Sequence, residues 1–377
     1  MRYFFSTGET SGEFVATVLA QAIRRFDPGA EFEGIGAAEM RRAGFRVWRD
    51  HAGWATMGPF AALMNVPRLL AEGTATVAHI ARVKPDLVVL VNFGAFNLRL
   101  AKVLRRVGYR GAILDLFPPG AWLDDPKRAK EAAGLTVPVT AFAHQRDFFA
   151  ALRLPIAYFG HPIVAQYAMR GQRPPAPSDA GVVALLPGSR PAELRHHIGL
   201  LLDAYDCVRA RRPKLRAIAG AANHHAAKTL HARTHGRANG SIAIVDGMEE
   251  AIRDADAAWV ASGTAVLECA LSGVPVVAFY VVSPLLARYV RRVHVRRFIT
   301  LPNLVCEREI VPELLQERAT PQALADAMER VLRAPQDQYA AFAALRNALG
   351  PPDALERCAA FAVSVAKAPR GGGCTPW

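Results

Sequence analysis

The sequence predicts an α/β protein with two doubly wound, mostly parallel sheets in separate domains. Three observations predict this class. Continuous apolar runs of strand length alternate with helical segments along most of the chain, a pattern typical of parallel sheets that helices cover on both faces. The alternation stops at a proline-rich stretch, residues 171–181, and then restarts. The 377 residues are enough for two domains of ordinary size.

The first half opens with the apolar strand YFFST, followed by the polar loop STGETSGEF and a helix over about 13–25. FEGIG then predicts a second strand, before a helix that ends near Gly44. DLVVLVN at 86–92 and AILDLF at 112–117 are two further buried strands, with the helix NLRLAKVLRRVG between them.

The second half repeats the pattern after the proline-rich linker. VVALL, RAIAG, IAIVDG, AAWVAS and VPVVAFY predict strands, separated by helices over 191–212, 248–254 and 264–272. We therefore predict an N-terminal domain over 1–172, a C-terminal domain over 181–340, helices over 341–368 that pack back on the first domain, and a loose tail over 369–377. Two such Rossmann-like domains facing a central cleft form the layout called GT-B.

Composition excludes several classes of protein. The net charge of +13 favours anionic partners, but no nucleic-acid-binding motif accompanies it. The five cysteines form no CxxC pair, which predicts reduced thiols in a cytosolic protein and no metal site. The N-terminus does not resemble a signal peptide, and the longest apolar run, 274–282, is too short to span a bilayer.

The sequence does not contain the common nucleotide-binding motifs. Glu39 replaces the third glycine of a GxGxxG motif in GIGAAE, and the sequence contains no GxxxxGK[ST] motif.

LLPGSRPAE at 185–193 ends a strand with groups that suit a diphosphate: backbone N–H groups, a hydroxyl and a guanidinium. The binding residues predicted here are Gly188, Ser189 and Arg190. The alternative is an ordinary strand-to-helix turn with Pro191 at the first helical position.

ASGTAVLECALSGVPVV at 261–277 carries a stronger signal. Ser262, Gly263 and Thr264 stand where a strand end meets a helix N-terminus, which offers free N–H groups to a phosphate. Glu268, one helical turn later, is placed to accept both hydroxyls of a ribose. The alternative is a capping box with Thr264 as the cap, although the acid comes one position late for that motif.

Two further segments supply weaker candidates. LPNLVCEREIVPELLQE at 301–317 adds Asn303, Arg308, Glu309 and Gln316. His161, in HPI, is either a cleft residue or a turn histidine with its bonds satisfied.

Taken in order, these segments resemble the lipid-A-disaccharide synthase family, inverting GT-B glycosyltransferases. The segments that carry the resemblance are GETSGE, GIGAAEM, MGPFAAL, FGHP, LLPGSRPAE, SGTAVLECAL, VVAFYVVSPLLARYVRRV and LPNLVCEREIVPELLQE. The resemblance implies a UDP-sugar donor bound by the second domain, without a metal cofactor. It also implies a lipid-linked sugar phosphate as acceptor and self-association.

This chain departs from the family on the acceptor side. The family segment IDAPDFN reads VNFGAFN at 91–97, so Asn92 and Ala95 replace two acids, and the second of these is the family's catalytic base. The next family segment, YVSPSVWAWR, is largely replaced in LDLFPPGAWLDD at 114–125.

With that aspartate absent, the remaining carboxylates able to accept the acceptor's proton are Glu9, Glu13 and Asp115. We rank Glu13 first and Asp115 next, while an alternative role for Glu13 is first-turn compensation of its own helix dipole. The opening loop then belongs to the acceptor side. The other predicted residues of that side are Ser11, Gly12 and Asn97, and His161 is added to the catalytic set.

The resulting hypothesis is transfer of an acylated glucosamine from UDP to a lipid-linked glucosamine 1-phosphate. The alternatives are a related transferase with another acceptor and a non-catalytic binding relative. The predicted location is the cytoplasmic face of the inner membrane, held peripherally by segments 57–70 and 283–298. The basic residues of these segments are Arg68, Arg288, Arg291, Arg292, Arg296 and Arg297.

Overall fold

The computed structural model describes residues 1–51, 54, 59–117, 125–167, 169, 171–235, 241–293 and 297–368. Contacts divide the chain into two units. Unit 1 consists of Met1–Gln166 together with the chain from Leu349 onward, and unit 2 is Tyr167–Ala348.

Unit 1 is built on a parallel sheet with the strand order β3-β2-β1-β4-β5-β6-β7. Its elements are β1 (Arg2–Ser6), α1 (Thr10–Phe26), β2 (Glu31–Gly36), α2 (Ala38–Arg42), β3 (Arg46–Asp50), α3 (Pro59–Val83), β4 (Leu87–Val91), α4 (Gly94–Arg106), β5 (Ala112–Leu116), α5 (Pro126–Leu135), β6 (Val137–Thr140), α6 (Ala143–Ala151) and β7 (Ala157–Tyr158).

The central strand of this sheet is β4, in which all five residues are buried. Helices cover both faces of a parallel sheet, so a central strand contacts apolar side chains on each side. Its sequence is therefore a continuous apolar run. On one face, Phe4, Val88 and Ile113 from three neighbouring strands pack into a common core with Leu100 and Leu104 of α4.

Unit 2 is built on a second parallel sheet, with the strand order β10-β9-β8-β11-β12-β13. Its elements are β8 (Ala180–Leu186), α7 (Pro191–Arg209), β9 (Lys214–Ala221), α8 (His224–Thr234), β10 (Ile242–Asp246), α9 (Gly247–Arg253), β11 (Ala257–Ala261), α10 (Thr264–Leu271), β12 (Val276–Tyr280), α11 (Pro284–Val293), α12 (Leu301–Cys306), β13 (Glu313–Leu315), α13 (Pro321–Arg333) and α14 (Gln336–Ala348).

The core of unit 2 is centred on Trp259 of β11, which is fully buried. Its indole Nε1 donates to the carbonyl of Leu324 at 3.1 Å, which satisfies the polar atom of an otherwise apolar side chain. Leu201 and Tyr205 of α7 and Met328 of α13 belong to the same buried cluster.

The chain returns to unit 1 at Leu349, later than the predicted position 341, and α14 therefore belongs to unit 2. The final helix, α15 (Ala354–Lys367), packs against α1. Glu356 pairs with Arg25 at 2.7 Å, and Phe361 contacts Phe159 with ring centroids 5.3 Å apart. The predicted tail, 369–377, lies outside the described residues.

The prediction of two doubly wound parallel-sheet domains is confirmed. Every strand named in the sequence analysis is present. The sequence analysis did not name β3, β6, β7 or β13; the sequence of β3, RVWRD, has two apolar residues flanked by charged ones and is only partly buried. Among the described helices, none combines the length and the apolar character that crossing a membrane requires.

Candidate functional site

The loop between β1 and α1 packs against the turn between β4 and α4. A side chain at Gly8 would stand 2.2 Å from the ring of Phe93, so only glycine allows this approach. Gly12 lies beside the carbonyl of Val91, where an added Cβ would be 3.4 Å away. Within the loop, the Ser11 hydroxyl donates to Glu9 Oε1 at 3.2 Å. The structure therefore brings together the two segments that the sequence assigned to the acceptor side.

The β4–α4 turn contains two consecutive residues in the left-handed region, Asn92 at φ 49° and Phe93 at φ 50°. Backbone of this kind is held only where its surroundings impose it. Asn97 does so from within α4, because it accepts from the Ser6 hydroxyl at 2.7 Å and donates to the Asn92 carbonyl at 2.7 Å. These bonds occupy both ends of the buried Asn97 amide, so the prediction that it contacts the acceptor is corrected to a role in shaping the turn.

Glu13 anchors a neighbouring helix. Its Oε1 accepts from the backbone N–H groups of Ala37 and Met40, each at 2.8 Å, and so caps the start of α2. Its Oε2 lies 3.6 Å from His51 Nε2. Burial raises the pKa of Glu13, but His51 and the two backbone donors outweigh burial and hold the pKa below its usual value.

A carboxylate with a lowered pKa and an occupied oxygen is a poor proton acceptor. We therefore correct the ranking of Glu13 as first candidate for the base. The alternative interpretation stays compatible with the structure, since Glu13 lies in the first turn of α1, while its carboxylate also caps α2.

Asp115 has the opposite character. It lies on β5, in register with Leu90 of β4, which is in turn in register with Ser6 of β1. The side chain is 1% exposed, and neither carboxylate oxygen has a hydrogen-bond partner among the described residues. Burial raises its pKa to about 7. Residues 118–124, which follow this strand, lie outside the described part of the chain.

His161 is a buried turn histidine. Its ring stacks on Phe117 and meets Phe142 edge-on, each with centroids 5.5 Å apart. Its Nδ1 accepts from the backbone N–H of Ile163 at 3.3 Å, so the proton of the neutral ring lies on Nε2. Burial lowers the pKa of His161 to about 3. The ring is therefore neutral near pH 7 and offers a hydrogen-bond donor, not a base.

The turn at Gly188, Ser189 and Arg190 is organised by a residue that the sequence analysis did not single out, Glu193. Its Oε2 accepts from the backbone N–H groups of Ser189 at 3.0 Å and Arg190 at 3.1 Å. Its Oε1 accepts from Arg190 Nη1 at 2.8 Å and from the Tyr280 hydroxyl at 3.0 Å. Glycine is required at 188, where φ is +102° and an added Cβ would clash with Glu193.

These contacts correct the prediction for the turn. The N–H groups of Ser189 and Arg190 are occupied by Glu193, so they are not free for a diphosphate. The motif is the strand-to-helix turn of the alternative interpretation, with Pro191 at the first helical position. The Arg190 guanidinium, which is 40% exposed, is positioned by the buried Glu193 carboxylate.

The β11–α10 junction differs, because its helix start carries no side-chain cap. Gly263 is the N-cap residue and makes no side-chain bond, and the helix begins at Thr264. Thr264 is therefore not the cap of a capping box. Gly263 and Thr264 are exposed, whereas Glu268 one turn later is half-buried. The prediction for Ser262 is corrected, because its backbone N–H donates to the Phe279 carbonyl at 2.9 Å and is not free for a phosphate. The Tyr167 hydroxyl hydrogen-bonds to Glu268, and burial together with this bond raises the pKa of Tyr167.

Segment 301–317 is mainly structural. Asn303 is fully buried, and its Oδ1 accepts from the N–H groups of Ile310 at 2.7 Å and Val311 at 2.9 Å. Its Nδ2 donates to the Val311 carbonyl and to Glu313 Oε1, each at 2.8 Å. All its bonding capacity serves the fold, so the prediction that Asn303 binds the donor is corrected.

Gln316 is likewise engaged with backbone. With its amide oriented to satisfy both groups, it donates to the Val282 carbonyl and accepts from the Val282 N–H, each at 3.2 Å. Arg308 and Glu309 are exposed, so in this segment they are the predicted donor residues that retain accessible side chains. Within the described ranges, no three His, Cys, Asp or Glu side chains are grouped closely enough to hold a metal ion.

Comparison with known proteins finds relatives over nearly the whole chain. The family model described as lipid-A-disaccharide synthetase matches residues 3–348. A lipid-A-disaccharide synthase from Azotobacter vinelandii is 32% identical, over 97% of this chain and 98% of that protein. One from Pseudomonas aeruginosa strain UCBPP-PA14 is 31% identical, over 93% of this chain and 94% of that protein.

Solved structures share the fold at low sequence identity. UDP-GlcNAc 2-epimerase from Neisseria meningitidis bound to UDP-GlcNAc has a TM-score of 0.64 at 10% identity, covering 97% of this chain and 100% of that one. MurG from Acinetobacter baumannii has a TM-score of 0.59 at 15% identity, covering 96% and 99%. The family match, which extends through both units, shows that the chain belongs to the lipid-A-disaccharide synthase family.

Proposed function

We propose that the protein is an inverting glycosyltransferase of lipid A synthesis. It transfers an acylated glucosamine from UDP to a lipid-linked glucosamine 1-phosphate and releases UDP. Membership in the family supports the reaction class. The observation that carries the donor assignment is the uncapped start of α10 followed one turn later by Glu268.

The start of α10 has the chemistry of a diphosphate site. The first N–H groups of a helix have no intrahelical partner, and the helix dipole favours negative charge at this end. Gly263 and Thr264 are exposed there and no side chain caps them. A diphosphate bound at this point accepts hydrogen bonds from the N–H groups that no side chain caps.

Glu268 supplies the second half of the donor site, recognition of the ribose. A carboxylate accepts hydrogen bonds from two vicinal hydroxyls, and such charge-assisted bonds are among the stronger ones. Tyr167 hydrogen-bonds to this carboxylate and thereby fixes its orientation. Tyr167 is thus a positioning residue for Glu268.

Asp115 is the general base of this proposal. The acceptor hydroxyl oxygen attacks the anomeric carbon, the bond from that carbon to the UDP oxygen breaks, and UDP leaves with the electron pair. The hydroxyl proton passes to the Asp115 carboxylate; because this side chain is 1% exposed, the transfer requires that acceptor binding uncovers it. A pKa of about 7 suits this task, because a base works best when its pKa lies near the operating pH.

Peripheral attachment to an anionic membrane is the proposed location, on the cytoplasmic face of the inner membrane. In the first segment, Val66 and Leu70 of α3 are large apolar residues with exposed side chains, and Arg68 is exposed between them. In the second, Leu285 of α11 is 78% exposed and Arg288 is also exposed. Residues 57–58 and the side chains of Arg291, Arg292 and Arg296 lie outside the described part of the chain.

A second candidate function is a related transferase with a different acceptor. The observation that favours it is the altered β4–α4 turn, where Asn92 stands in place of a family acid and the backbone of Asn92 and Phe93 is left-handed. An acceptor group recognised by an acid in the family would then meet an amide here.

The test is UDP release from the UDP-linked acylated glucosamine with lipid-linked glucosamine 1-phosphate as acceptor. The expected result is acceptor-dependent release that Glu268→Ala reduces strongly and that Glu250→Gln, an exposed acid of α9 in the same unit, leaves unchanged. Release only with other sugar acceptors supports the second candidate. UDP binding without release on any acceptor contradicts both.

A further inference from the structure

Unit 1 contains a cavity of about 510 Å³ that the proposed reaction does not use. Its lining residues are Arg2, Glu33, Arg46, Val47, Trp48, His79, Arg82 and Val83. Arg2 and Arg46 are the first residues of β1 and β3, so the cavity lies at the amino-terminal edge of the sheet. The opening loop and the β4–α4 turn follow strand ends at the opposite, carboxyl-terminal edge, where ligands of doubly wound sheets ordinarily bind.

The cavity is built around Glu33, which is largely buried. Glu33 of β2 is in register with Arg46 of β3, and its Oε2 accepts from Arg46 Nη2 at 2.8 Å. Its Oε1 lies 2.9 Å from His79 Nε2 on α3. One carboxylate therefore fixes a guanidinium and an imidazole on two different elements.

His79 continues this network to a second guanidinium. Arg82 Nη2 lies 3.1 Å from His79 Nδ1, and since an arginine can only donate, Nδ1 must be the acceptor. The proton on Nε2 is then donated to Glu33. Trp48 stacks on the ring with centroids 4.3 Å apart and planes 20° apart. The network links Arg46 and Arg82, two exposed side chains, to one largely buried carboxylate.

The charge of the lining is unbalanced. Three arginines face one carboxylate, and the Arg2 guanidinium has no ion-pair partner among the described residues. A second cavity, of about 500 Å³, shares Arg2, Glu33, Arg46 and Val83 with the first and adds Arg24 and Glu31, so the two adjoin. The arginine excess therefore remains when both cavities are considered together.

We propose that this amino-edge cavity binds a phosphate monoester. Arginine presents several N–H donors in a fixed fork that matches phosphate oxygens, and this planar fork loses less freedom for each hydrogen bond that it forms. Arg2, Arg46 and Arg82 hold the phosphate. Val47, Trp48 and Val83 contact the organic part, for which a cavity of this size has room. The site belongs to unit 1, whereas the proposed donor residues belong to unit 2.

Calorimetric titration with glucose 1-phosphate tests the proposal, with glucose as the uncharged comparison. We expect saturable binding of the phosphate ester, no binding of glucose, and a loss of roughly tenfold or more in affinity for Arg2→Gln/Arg82→Gln, the scale of hydrogen bonds to a charged group. Arg99→Gln/Arg106→Gln, at two exposed arginines of α4 outside the cavity, removes the same two charges elsewhere and is expected to leave the affinity unchanged.

A soluble metabolite and a lipid headgroup present the same phosphate, and a second probe distinguishes them. If the natural ligand is a lipid, monomeric dihexanoyl phosphatidic acid binds more tightly than glucose 1-phosphate. If the natural ligand is a soluble ester, the phosphatidic acid binds more weakly. If the double variant does not fold, Arg2→Gln alone, which changes an exposed residue at a strand end, replaces it in the affinity measurement. Absence of saturable binding to both probes, or equal affinities in the Arg2 and Arg106 variants, overturns the proposal.

Discussion

Glu193 binds Arg190 through both its backbone and its side chain: one carboxylate oxygen accepts from the Arg190 N–H at 3.1 Å and the other from its guanidinium at 2.8 Å. The carboxylate is 5% exposed and also accepts from Ser189 and Tyr280. The turn after β8 is therefore held in place by an internal acid. This arrangement leaves the Arg190 side chain as the part of the turn that can meet a ligand.

We predict that Glu193→Gln destabilises the protein by about 1 to 3 kcal/mol, because it removes the charge of a buried carboxylate and leaves its hydrogen-bond partners with a weaker acceptor. Affinity for UDP is expected to fall as well, since the turn that carries Arg190 loses its anchor. Chemical denaturation and calorimetry measure the two effects. Glu250→Gln, an exposed acid on α9, is the matched control. If Glu193→Gln and Glu250→Gln are equally stable, Glu193 does not have this structural role.

The same ion pair predicts a pH dependence. Burial raises the pKa of Glu193, but Arg190 and the backbone donors outweigh burial, so the pKa lies below the ordinary value of 4.5. The folded state therefore binds this proton less tightly than the unfolded state. The stabilisation is complete above about pH 4.5 and is lost as the pH falls through the lower folded pKa. Unfolding free energies measured from pH 7 downward should show this loss in the wild type and less of it in Glu193→Gln.

The sheets were predictable from the sequence because buried parallel strands leave continuous apolar runs. Strand β4, LVVLV, is the clearest example, and β11, AAWVA, is similar. Strand β3 was missed because RVWRD lies at the sheet edge and buries little. The strands that the sequence predicted most clearly were thus those that helices bury on both faces of the sheet.

The site was only partly predictable. The sequence shows which polar residues are present, but not which of them make all their hydrogen bonds within the fold. Asn303 and Glu13 looked like ligands, yet backbone N–H groups occupy both. Glu193 stood inside a quoted motif, and its spacing from Arg190 was the available signal for a carboxylate that reaches back to the start of its own helix. Tyr167, by contrast, is distant from Glu268 in sequence, and no local pattern connects them.

We predict that Glu268→Ala weakens UDP binding by about 1 to 3 kcal/mol, the scale of charge-assisted hydrogen bonds to the ribose. Tyr167→Phe should have a smaller effect in the same direction, because it removes only the hydroxyl that orients the carboxylate. Calorimetry with UDP and with uracil separates these roles, since uracil has no ribose. The assignment fails if Glu268→Ala retains wild-type affinity for UDP.

We predict that the protein sediments with anionic vesicles and not with neutral ones at low salt, and that added salt releases it. Leu285→Ser should reduce this binding through lost apolar contact, because the side chain is 78% exposed. Val107→Ser changes an exposed apolar residue outside both membrane segments and is the control. Equal sedimentation with neutral and anionic vesicles would instead indicate a helix with an ordinary solvated basic face.

Our last prediction concerns Asp115. We expect Asp115→Asn to reduce the rate of UDP release by about 10² to 10⁴-fold, the usual contribution of a general base. We also expect this variant to be more stable than the wild type near pH 7. The folded pKa is about 7 against 3.8 for the free group, so the folded state alone holds this proton between those values.

The wild type therefore loses stability as the pH rises from about 4 to about 7, by at most about 4 kcal/mol, and the amide, which does not ionise, avoids the loss. A variant that gains stability while it loses activity is the result expected for a buried carboxylate that acts as a catalytic base, and a purely structural residue does not produce it.

Glu13→Gln is the matched comparison, because it also replaces a buried acid by its amide in unit 1. We expect it to lower stability and to leave the pH dependence of the rate unchanged, since Glu13 caps α2. Ala95→Asp completes the set by restoring the acid found in the family. If the wild type is inactive on every acceptor while Ala95→Asp gains activity, Asp115 is not the base and the chain is a binding relative of the transferases.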